Sequence, residues 1–262
     1  MQFISLNEDK GIIIMKQETV DIQREMFKEK TSAHNKYRNL IIGKPDFYSL
    51  IKYELITLLA SWVPGALGLA LRMKLLPLLM GRVGKGVYFG QNVVLRHPHK
   101  INIGDNVVID DNVVLDAKGF DNDGIIIGNG VFIGRGTILN CKNGNIILGD
   151  CVNMGFNCHI FSASQVKLGK NVLLAANCYL IGGSHKFDRL DIAPIEQERE
   201  SRGIELKENT WLGSNVQILD GVNIGHDSVI GTSAVVNSDI PDNSIAVGIP
   251  AKVIKRRDIY ES

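Results

Sequence analysis

The residue best suited to chemistry in this sequence is His185, which follows directly after Gly183 and Ser184. It lies near the start of a long segment, residues 181–205, that interrupts an otherwise regular repeat. Loops of this length in compact repeat proteins are more often functional than decorative. A neutral imidazole has a pKa near the working pH and can take a proton from a hydroxyl or an amine. His185 is therefore a candidate general base.

The other residues that could bind a metal do not form a metal-binding pattern. His97 and His99 are a close pair in the stretch RHPHK, but no third ligand stands at a matching spacing, so a solvated loop is predicted there. No metal is expected. The cysteines lack the paired spacing of zinc sites, and buried thiols in a reducing cytosol are predicted for all four: Cys141, Cys151, Cys158 and Cys178.

A six-residue repeat must position these side chains. An aliphatic residue returns at every sixth position, most regularly at Leu212, Ile218, Ile224, Ile230 and Val236. Counted from the aliphatic residue as the first place, the fourth place of many hexads is Asn, which tolerates a left-handed backbone. The fifth place holds a small or β-branched residue. A period of six fits neither a helix nor ordinary strands. Short strands joined by tight corners and stacked into a solenoid account for it.

This repeat resembles that of the hexapeptide-repeat acyltransferases, and the resemblance covers residues 83–256. It implies an all-β solenoid, a left-handed parallel β-helix with an N-terminal helical segment. The handedness comes from the resemblance alone, because parallel crossovers are otherwise right-handed. The stretch KLGKNVLLAANCYLIGGSH, which ends at His185, is similar to the galactoside and maltose O-acetyltransferases without a gap. The resemblance thus implies that His185 is the catalytic base.

The same resemblance implies that acetyl-CoA is the co-substrate and binds in a groove between the subunits of a homotrimer. Trp211 and Ser214 would flank the pantetheine and the thioester, and Thr232 would contact the pantetheine arm through its backbone. The other implied contacts stand where family members carry different residues: Asn237 and Ser238 in place of Thr and Lys, and Lys252 and Lys255 in place of phosphate-binding Arg. The basic run at the end of the repeat suits an anionic cofactor.

The composition and the remaining segments suggest appendages on one folded unit. Residues 1–45 are predicted to be a charged N-terminal arm, residues 46–82 an apolar helical segment, and residues 257–262 a C-terminal tail. The net charge is only +1, so nucleic acid is not an expected partner.

The apolar segment 46–82 has two possible roles. Its uncharged run, Leu55 to Leu71, is shorter than the ~20 residues that a spanning helix usually needs and is interrupted at Pro64. It could lie in the cytoplasmic face of a membrane, with Tyr53 and Trp62 at the headgroups, or it could cap the open first coil. Membrane contact is favoured, because a cap needs one apolar face and this segment is apolar nearly all round.

The resemblance implies an O-acetyltransferase. The membrane-like apolar segment suggests that its acceptor is a sugar hydroxyl of a cell-surface polysaccharide or its lipid-linked precursor, and that the enzyme works in the cytoplasm or at the inner membrane. Gly155 and Ala163 stand where galactoside acetyltransferases use Asn and Asp, so a free galactoside or maltose is not the expected acceptor. Three alternatives stay open. An N-acetyltransferase would use the same fold, donor and base to modify a nucleotide-linked amino sugar. A non-catalytic scaffold would tether partners to a membrane. A carbonic anhydrase on the same β-helix would need two His five residues apart, and this sequence contains no such pair.

Overall fold

The computed structural model of this chain describes residues 32–257. Most of the predicted charged arm, residues 1–31, and all of the predicted tail except Arg257 lie outside the described residues. The described chain begins with helices: α1 Ala33–Tyr37, a π-helical turn Arg38–Ile42, α2 Phe47–Ala60, α3 Gly65–Leu75 and a 3₁₀ turn Leu76–Leu79.

Short strands make up the rest of the described chain. Those before the long insertion are β1 Arg82–Val83, β2 Tyr88–Phe89, β3 Val94–Arg96, β4 Ile101–Ile103, β5 Val108–Ile109, β6 Val114–Asp116, β7 Ile125–Ile127, β8 Phe132–Ile133, β9 Ile138–Cys141, β10 Asn145–Leu148, β11 Asn153–Met154, β12 His159–Ser162, β13 Gln165–Leu168, β14 Leu173–Leu174 and β15 Tyr179–Gly182. The later ones are β16 Ser184–His185, β17 Arg199–Glu200, β18 Ile204–Leu206, β19 Trp211–Leu212, β20 Gln217–Leu219, β21 Asn223–Ile224, β22 Val229–Ile230, β23 Val235–Val236, β24 Ser244–Gly248 and β25 Ala251–Arg256. Pro98–Lys100 and Pro194–Glu196 form 3₁₀ turns.

The strands build three parallel sheets around a triangular interior. The first sheet has the order β1-β4-β7-β10-β13-β18-β21, the second β2-β5-β8-β11-β14-β19-β22-β24-β25, and the third β3-β6-β9-β12-β15-β20-β23. In the second sheet, β25 runs antiparallel to β24. This is the predicted left-handed parallel β-helix, with about eight turns. We call the corner between the first and second sheets the first corner, that between the second and third the second corner, and that between the third and first the third corner.

Each hexad contributes one aliphatic side chain to the core. The repeating positions from Leu212 to Val236 are buried, as are the small fifth-place residues. The fourth-place asparagines turn the corners with positive φ, 57° at Asn171 and 59° at Asn209, and these two side chains share a 3.0 Å hydrogen bond. Stacked coils therefore place identical residue types above one another, because each type meets the same local demand in every coil.

Helix α2 covers the open end of the first coils with one of its faces. The Tyr53 hydroxyl donates a 2.8 Å hydrogen bond to the Leu95 carbonyl of β3. The prediction that Tyr53 lies at a lipid headgroup boundary is therefore wrong, because the ring is inside the protein. The buried side chains recur every three or four positions, as in a helix packed along one side: Leu50, Tyr53, Ile56 and Ala60.

Helix α3 is tied to the second sheet by a buried arginine. Arg72 donates from Nε to the Phe89 carbonyl (2.9 Å) and from Nη1 to the Val63 carbonyl (2.6 Å). Nearby, the Asn92 N–H donates a 2.9 Å bond to the Ser61 carbonyl. The helices thus perform the capping role. In residues 32–257 no helix combines the length and apolar character needed to cross a bilayer.

His97 belongs to this cap as well. It is buried, its backbone N–H donates to the Ile41 carbonyl (2.7 Å), and its Nε2 donates to the Asn39 carbonyl (2.7 Å). Burial lowers the pKa of His97. The prediction of a solvated loop is wrong for His97, because the π-helical turn before α2 folds over the ring.

Candidate active site

His185 is carried by a two-stranded ribbon that leaves the third corner of the β-helix. Lys167 of β13 pairs with Glu205 of β18, 38 positions later, whereas Glu205 pairs with Asn223 of β21 after only 18. The excess chain forms the ribbon, in which His185 of β16 stands opposite Arg199 of β17 in an antiparallel pair. Opposed residues of such a pair extend to the same face, so the two side chains are neighbours.

Ser201 and Asp220 fix the base of this ribbon. Ser201 is buried, and its Oγ lies 2.7 Å from Ser164 Oγ and 3.1 Å from the Gly182 carbonyl oxygen. Asp220 accepts hydrogen bonds from the Ser201 hydroxyl (3.3 Å) and the Gly203 N–H (3.0 Å). Burial raises the pKa of the Asp220 carboxyl, opposed by these donors. These hydrogen bonds therefore fix the position of the chain where it enters and leaves the ribbon.

The outer part of the ribbon has its own bonds. Gln197 is buried, accepts a hydrogen bond from the Arg189 N–H (3.2 Å) and donates one to the Arg189 carbonyl (2.7 Å). Lys186 forms a 2.7 Å ion pair with Glu198 across the two strands. His185 is thus carried by a ribbon that its own hydrogen bonds and an ion pair hold together.

The surroundings of His185 favour its neutral form. The side chain is half-buried, and burial is the main cause that lowers its pKa below the ordinary value. The positive charges of Arg199 and Lys142 lower that pKa further, while the Pro194 carbonyl opposes them. Among residues 32–257, Nδ1 of His185 has no hydrogen-bond partner. A neutral imidazole in such a place can accept a proton from a bound substrate.

Earlier coils form an apolar floor beside the ribbon. A Cβ added to Gly183 would lie 2.7 Å from the Ala163 Cβ and 3.3 Å from the Phe161 ring. Nζ of Lys142 lies 5.9 Å from the centroid of the same ring. The absence of a side chain at Gly183 therefore lets the ribbon approach the corner closely, which brings His185 near Lys142.

The three residues predicted along the pantetheine arm and the thioester lie together elsewhere on the β-helix. Trp211 is half exposed on β19 of the second sheet, and Ser214 and Thr232 occupy the second corner in successive coils. The Ser214 carbonyl accepts a 2.9 Å hydrogen bond from the Ser233 N–H. A Cβ on Gly213 would lie 2.7 Å from the Thr232 nitrogen, so the backbones are in close contact.

Lys252 and Lys255 lie at the end of the same sheet. Trp211 pairs with Val229, Val229 with Ile245, and Ile245 with Lys255. At one strand spacing per step, Lys255 is about 14 Å from Trp211. An open groove of about 500 Å³ runs beside Trp211 and is lined by Asn171, Leu173, Asn209, Thr210, Trp211, Val229, Ile245 and Arg257.

Asn237 and Ser238 follow β23 and are exposed at the third corner, away from the second sheet. One chain therefore presents two separate groups of predicted site residues. His185, Asn237 and Ser238 lie at the third corner. The second group lies on the second sheet and its corner: Trp211, Ser214, Thr232, Lys252 and Lys255.

The remaining histidines of the β-helix lack the setting of His185. His159 stands against Tyr179, with ring centroids 5.2 Å apart. His226 at the first corner has Nδ1 2.7 Å from Asp227 and Nε2 3.2 Å from Asp242. In the part of the chain that the structure describes, no cluster of three or more His, Cys, Asp or Glu residues could hold a metal ion.

The prediction of buried thiols is confirmed for three cysteines and wrong for the fourth. Cys141, Cys158 and Cys178 are buried free thiols. Cys151 is exposed, because it occupies a corner position with φ 58° where other coils carry Asn.

Four residues around His185 were not predicted from the sequence: Lys142, Arg199, Ser201 and Asp220. Nothing in the local pattern distinguishes them, because each acquires its role from the insertion of the ribbon between coils.

The repeats match two known families. Residues 203–238 match the family described as Bacterial transferase hexapeptide (six repeats). Residues 82–117 and 145–181 match the family described as Hexapeptide repeat of succinyl-transferase. These segments all lie in the β-helix.

Several curated proteins are similar over the same region. WbbJ of Escherichia coli (strain K12), named as a lipopolysaccharide biosynthesis O-acetyl transferase, is 33% identical over 144 residues, or 52% of this chain and 74% of WbbJ. Rv3034c of Mycobacterium tuberculosis, named as an acetyltransferase, is 35% identical over 51% of this chain and 44% of its own length. YJL218W of Saccharomyces cerevisiae, also named as an acetyltransferase, is 37% identical over 43% of this chain and 56% of its own. The chain spans about half the length of these last two relatives.

Solved structures share the fold. AntD, an N-acyltransferase from Bacillus cereus in complex with dTDP and 3-hydroxybutyryl-CoA, superposes with a TM-score of 0.52 at 18% identity, over 76% of this chain and 91% of AntD. UDP-N-acetylglucosamine acyltransferase from Campylobacter jejuni gives 0.52 at 21% identity, over 66% and 62%. The repeat matches and the similarity to WbbJ over 74% of its length show that the chain belongs to the hexapeptide-repeat acyltransferases.

Proposed function

We propose that this protein is an acetyl-CoA-dependent O-acetyltransferase that modifies a sugar hydroxyl of a cell-surface polysaccharide or of its lipid-linked precursor. The observation that carries the proposal is the His185 imidazole, held on a bonded ribbon in surroundings that keep it neutral. The similarity to WbbJ, which is named as an O-acetyl transferase of lipopolysaccharide biosynthesis, supports oxygen as the accepting atom.

In this reaction the thioester supplies an activated carbonyl carbon. His185 takes the proton of the acceptor hydroxyl as its oxygen bonds to that carbon. The carbon–sulfur bond then breaks, and the imidazolium returns the proton to the leaving thiolate. Arg199 and Lys142 favour this return, because their charges lower the pKa of His185. No acetyl group needs to be attached to the protein.

The second sheet offers suitable contacts for the donor. Trp211 provides an apolar wall for the pantetheine arm, and Ser214 at the neighbouring corner is a candidate to stabilise the oxyanion that develops on the carbonyl. The open groove of about 500 Å³ beside Trp211 has Arg257 in its lining. Lys252 and Lys255 add positive charge at the end of the sheet for the phosphates.

A homotrimer would complete the site. His185 at the third corner and Trp211 on the second sheet lie on different sides of one chain, so in this proposal a neighbouring subunit supplies one of them. The tip of the ribbon also carries apolar side chains that a neighbour would cover, since Phe187 is 78% and Leu190 99% exposed.

The outward face of α2 supports a position at the cytoplasmic face of the inner membrane. Its buried face already rests on the β-helix. The exposed Lys44 and Lys74 flank the helices and would meet anionic headgroups. Exposed apolar residues recur along the free face of α2 and just beyond its end: Phe47, Ile51, Leu55, Leu58, Leu59 and Trp62. We refer to these six residues as the apolar face. An enzyme bound there could reach a lipid-linked acceptor.

The test is acetyl transfer by the purified full chain to a panel of glycans, nucleotide-linked amino sugars and simple glycosides, read as thiol release and product mass. Wild type should transfer to a glycan hydroxyl, and His185→Ala should lose at least ~100-fold in kcat, as loss of a general base predicts. His34→Ala is the matched control, because His34 is exposed on α1.

The other outcomes separate the alternatives. Full activity in His185→Ala would overturn the assignment of the base. Transfer only to amino sugars would favour the N-acetyltransferase. Loss of activity with EDTA would contradict a mechanism that uses only an imidazole base, and failure to bind acetyl-CoA would favour a scaffold.

A further inference from the structure

We propose that the acceptor is anionic and that its carboxylate or phosphate binds between Lys142 and Arg199, beside the hydroxyl that reacts at His185. The inference rests on the proposed acetyl transfer and adds the charge class of the acceptor.

Arg199 has the first of two unneutralised positive charges at the ribbon. Its Nε is buried and has no hydrogen-bond partner among residues 32–257. The two carboxylates beside it in sequence are already engaged, Glu198 with Lys186 (2.7 Å) and Glu200 with Arg202 (3.0 Å). No carboxylate of the described residues forms an ion pair with Arg199, so its guanidinium can receive an anion from a ligand.

Lys142 carries the second unneutralised positive charge. It lies at the third corner below the ribbon, half-buried, with its ammonium over the Phe161 ring. The carboxylate of the preceding coil, Asp116, is paired with Arg96 (3.4 Å) and Lys118 (2.9 Å). In the described range 32–257, Lys142 has no carboxylate partner of its own.

The positive charges of Lys142 and Arg199 lie close enough to influence each other and His185. Burial lowers the pKa of Lys142, and the neighbouring charge of Arg199 lowers it further. Both also lower the pKa of His185. Half-buried like charges repel one another, and an anion between them would offset that repulsion. The geometry agrees, because Arg199 stands opposite His185 in the strand pair and the Lys142 ammonium lies over the Phe161 ring, which borders Gly183. The imidazole, the ammonium and the guanidinium therefore border one place where an anionic group would be stabilised.

The floor of this place suits a sugar. The half-buried Phe161 ring presents apolar surface, Ala163 is buried beside Gly183, and the Gly183 backbone adds no side chain. Ala163 stands where the resemblance to galactoside acetyltransferases implies a carboxylate near the sugar. A carboxylate at that position would compete with an anionic acceptor, whereas alanine leaves both cations free to bind one.

The experiment compares matched acceptors with the full chain and acetyl-CoA. An oligosaccharide rich in uronic or sialic acid is tested beside its carboxyl-reduced form, and a nucleotide sugar beside the corresponding free sugar. These arms distinguish a sugar carboxylate from a phosphate. The variants are Lys142→Gln and Arg199→Gln, with Lys170→Gln as control because Lys170 is an exposed lysine at the first corner.

We expect wild type to prefer one anionic acceptor over its neutral partner by ~10-fold or more in kcat/KM, as a charge-assisted contact predicts. Each variant should lose most of that preference, measured within the same variant as the ratio of kcat/KM on the anionic acceptor to kcat/KM on its neutral partner, whereas Lys170→Gln should keep the wild-type ratio. Equal rates on anionic and neutral acceptors in wild type, or an unchanged preference in both variants, would overturn the proposal.

Binding provides a readout that does not need turnover. Calorimetry with His185→Ala should detect the anionic oligosaccharide more strongly than its carboxyl-reduced form, and the further change Arg199→Gln should abolish the difference. Anion-dependent binding without transfer would contradict the acetyltransferase and leave an anion site in place. Transfer with no charge preference would keep the acetyltransferase and reject the anionic acceptor.

Discussion

The hydroxyl of Ser201 and the carboxylate of Asp220 are joined by a 3.3 Å hydrogen bond that closes the base of the ribbon carrying His185. Asp220 comes from the next coil and also accepts bonds from the backbone N–H groups of Arg202 (2.8 Å) and Gly203 (3.0 Å). The position of the imidazole therefore depends on a carboxylate that lies in the wall of the β-helix.

Replacing the Asp220 carboxylate should impair catalysis because it displaces the ribbon that carries His185. Asp220→Ala leaves backbone donors unsatisfied, so we expect the free energy of unfolding to fall by about 1 to 3 kcal/mol. A displaced ribbon should lower kcat by ~10-fold to ~100-fold. Steady-state kinetics and thermal melting measure the two effects. Asp220→Asn keeps one acceptor oxygen and should recover much of the rate, and an unchanged kcat in a folded Asp220→Ala protein would refute the positioning role.

The pH dependence of kcat/KM should report the neutral imidazole. Activity rises with pH as His185 loses its proton, and because burial, Arg199 and Lys142 lower its pKa, the acid limb should have its midpoint below the ordinary value of about 6.5. Arg199→Gln removes a positive charge, so the pKa rises and the limb moves to higher pH. Lys170→Gln should leave the midpoint in place. A midpoint that moves to lower pH in Arg199→Gln would contradict this electrostatic account.

The two lysines of β25 should contribute to donor affinity through charge. Lys252→Gln combined with Lys255→Gln should raise the KM for acetyl-CoA about 3- to 10-fold at low salt, and less at high salt, because both side chains are exposed. A pantetheine thioester without the nucleotide provides the sharper comparison. The variant and wild type should use it equally well, and an equal loss with both donors would indicate damage other than lost phosphate contacts.

The apolar face of α2 should bind anionic bilayers. Sedimentation with phosphatidylglycerol vesicles should recover the wild type, while Leu55→Glu with Leu59→Glu should reduce the bound fraction ~10-fold or more, because both side chains are exposed on the free face. Transfer to a water-soluble acceptor should be unaffected. Phe120→Glu, an equally exposed apolar position on the β-helix, is the control. Wild type that stays unbound in the presence of these vesicles would exclude the membrane role.

Much of the fold could be predicted because the repeat is local. The aliphatic first place, the left-handed Asn and the small fifth place each answer a demand within a single hexad, and the structure buries Leu212, turns at Asn209 and encloses Val216 as expected. His185 could also be singled out, because the segment that carries it breaks the period.

The sequence by itself thus determined the coil, its corners and the residue that interrupts them. The tertiary structure alone decided which groups meet that residue. Arg199 reaches His185 through the pairing of β16 with β17, and Lys142 reaches it from an earlier coil at the same corner. Tyr53 and His97 turned inward for a similar reason, since docking of the helices buries them. These contacts join residues far apart in the chain, and such distances are set by how the coils stack and by what packs across them.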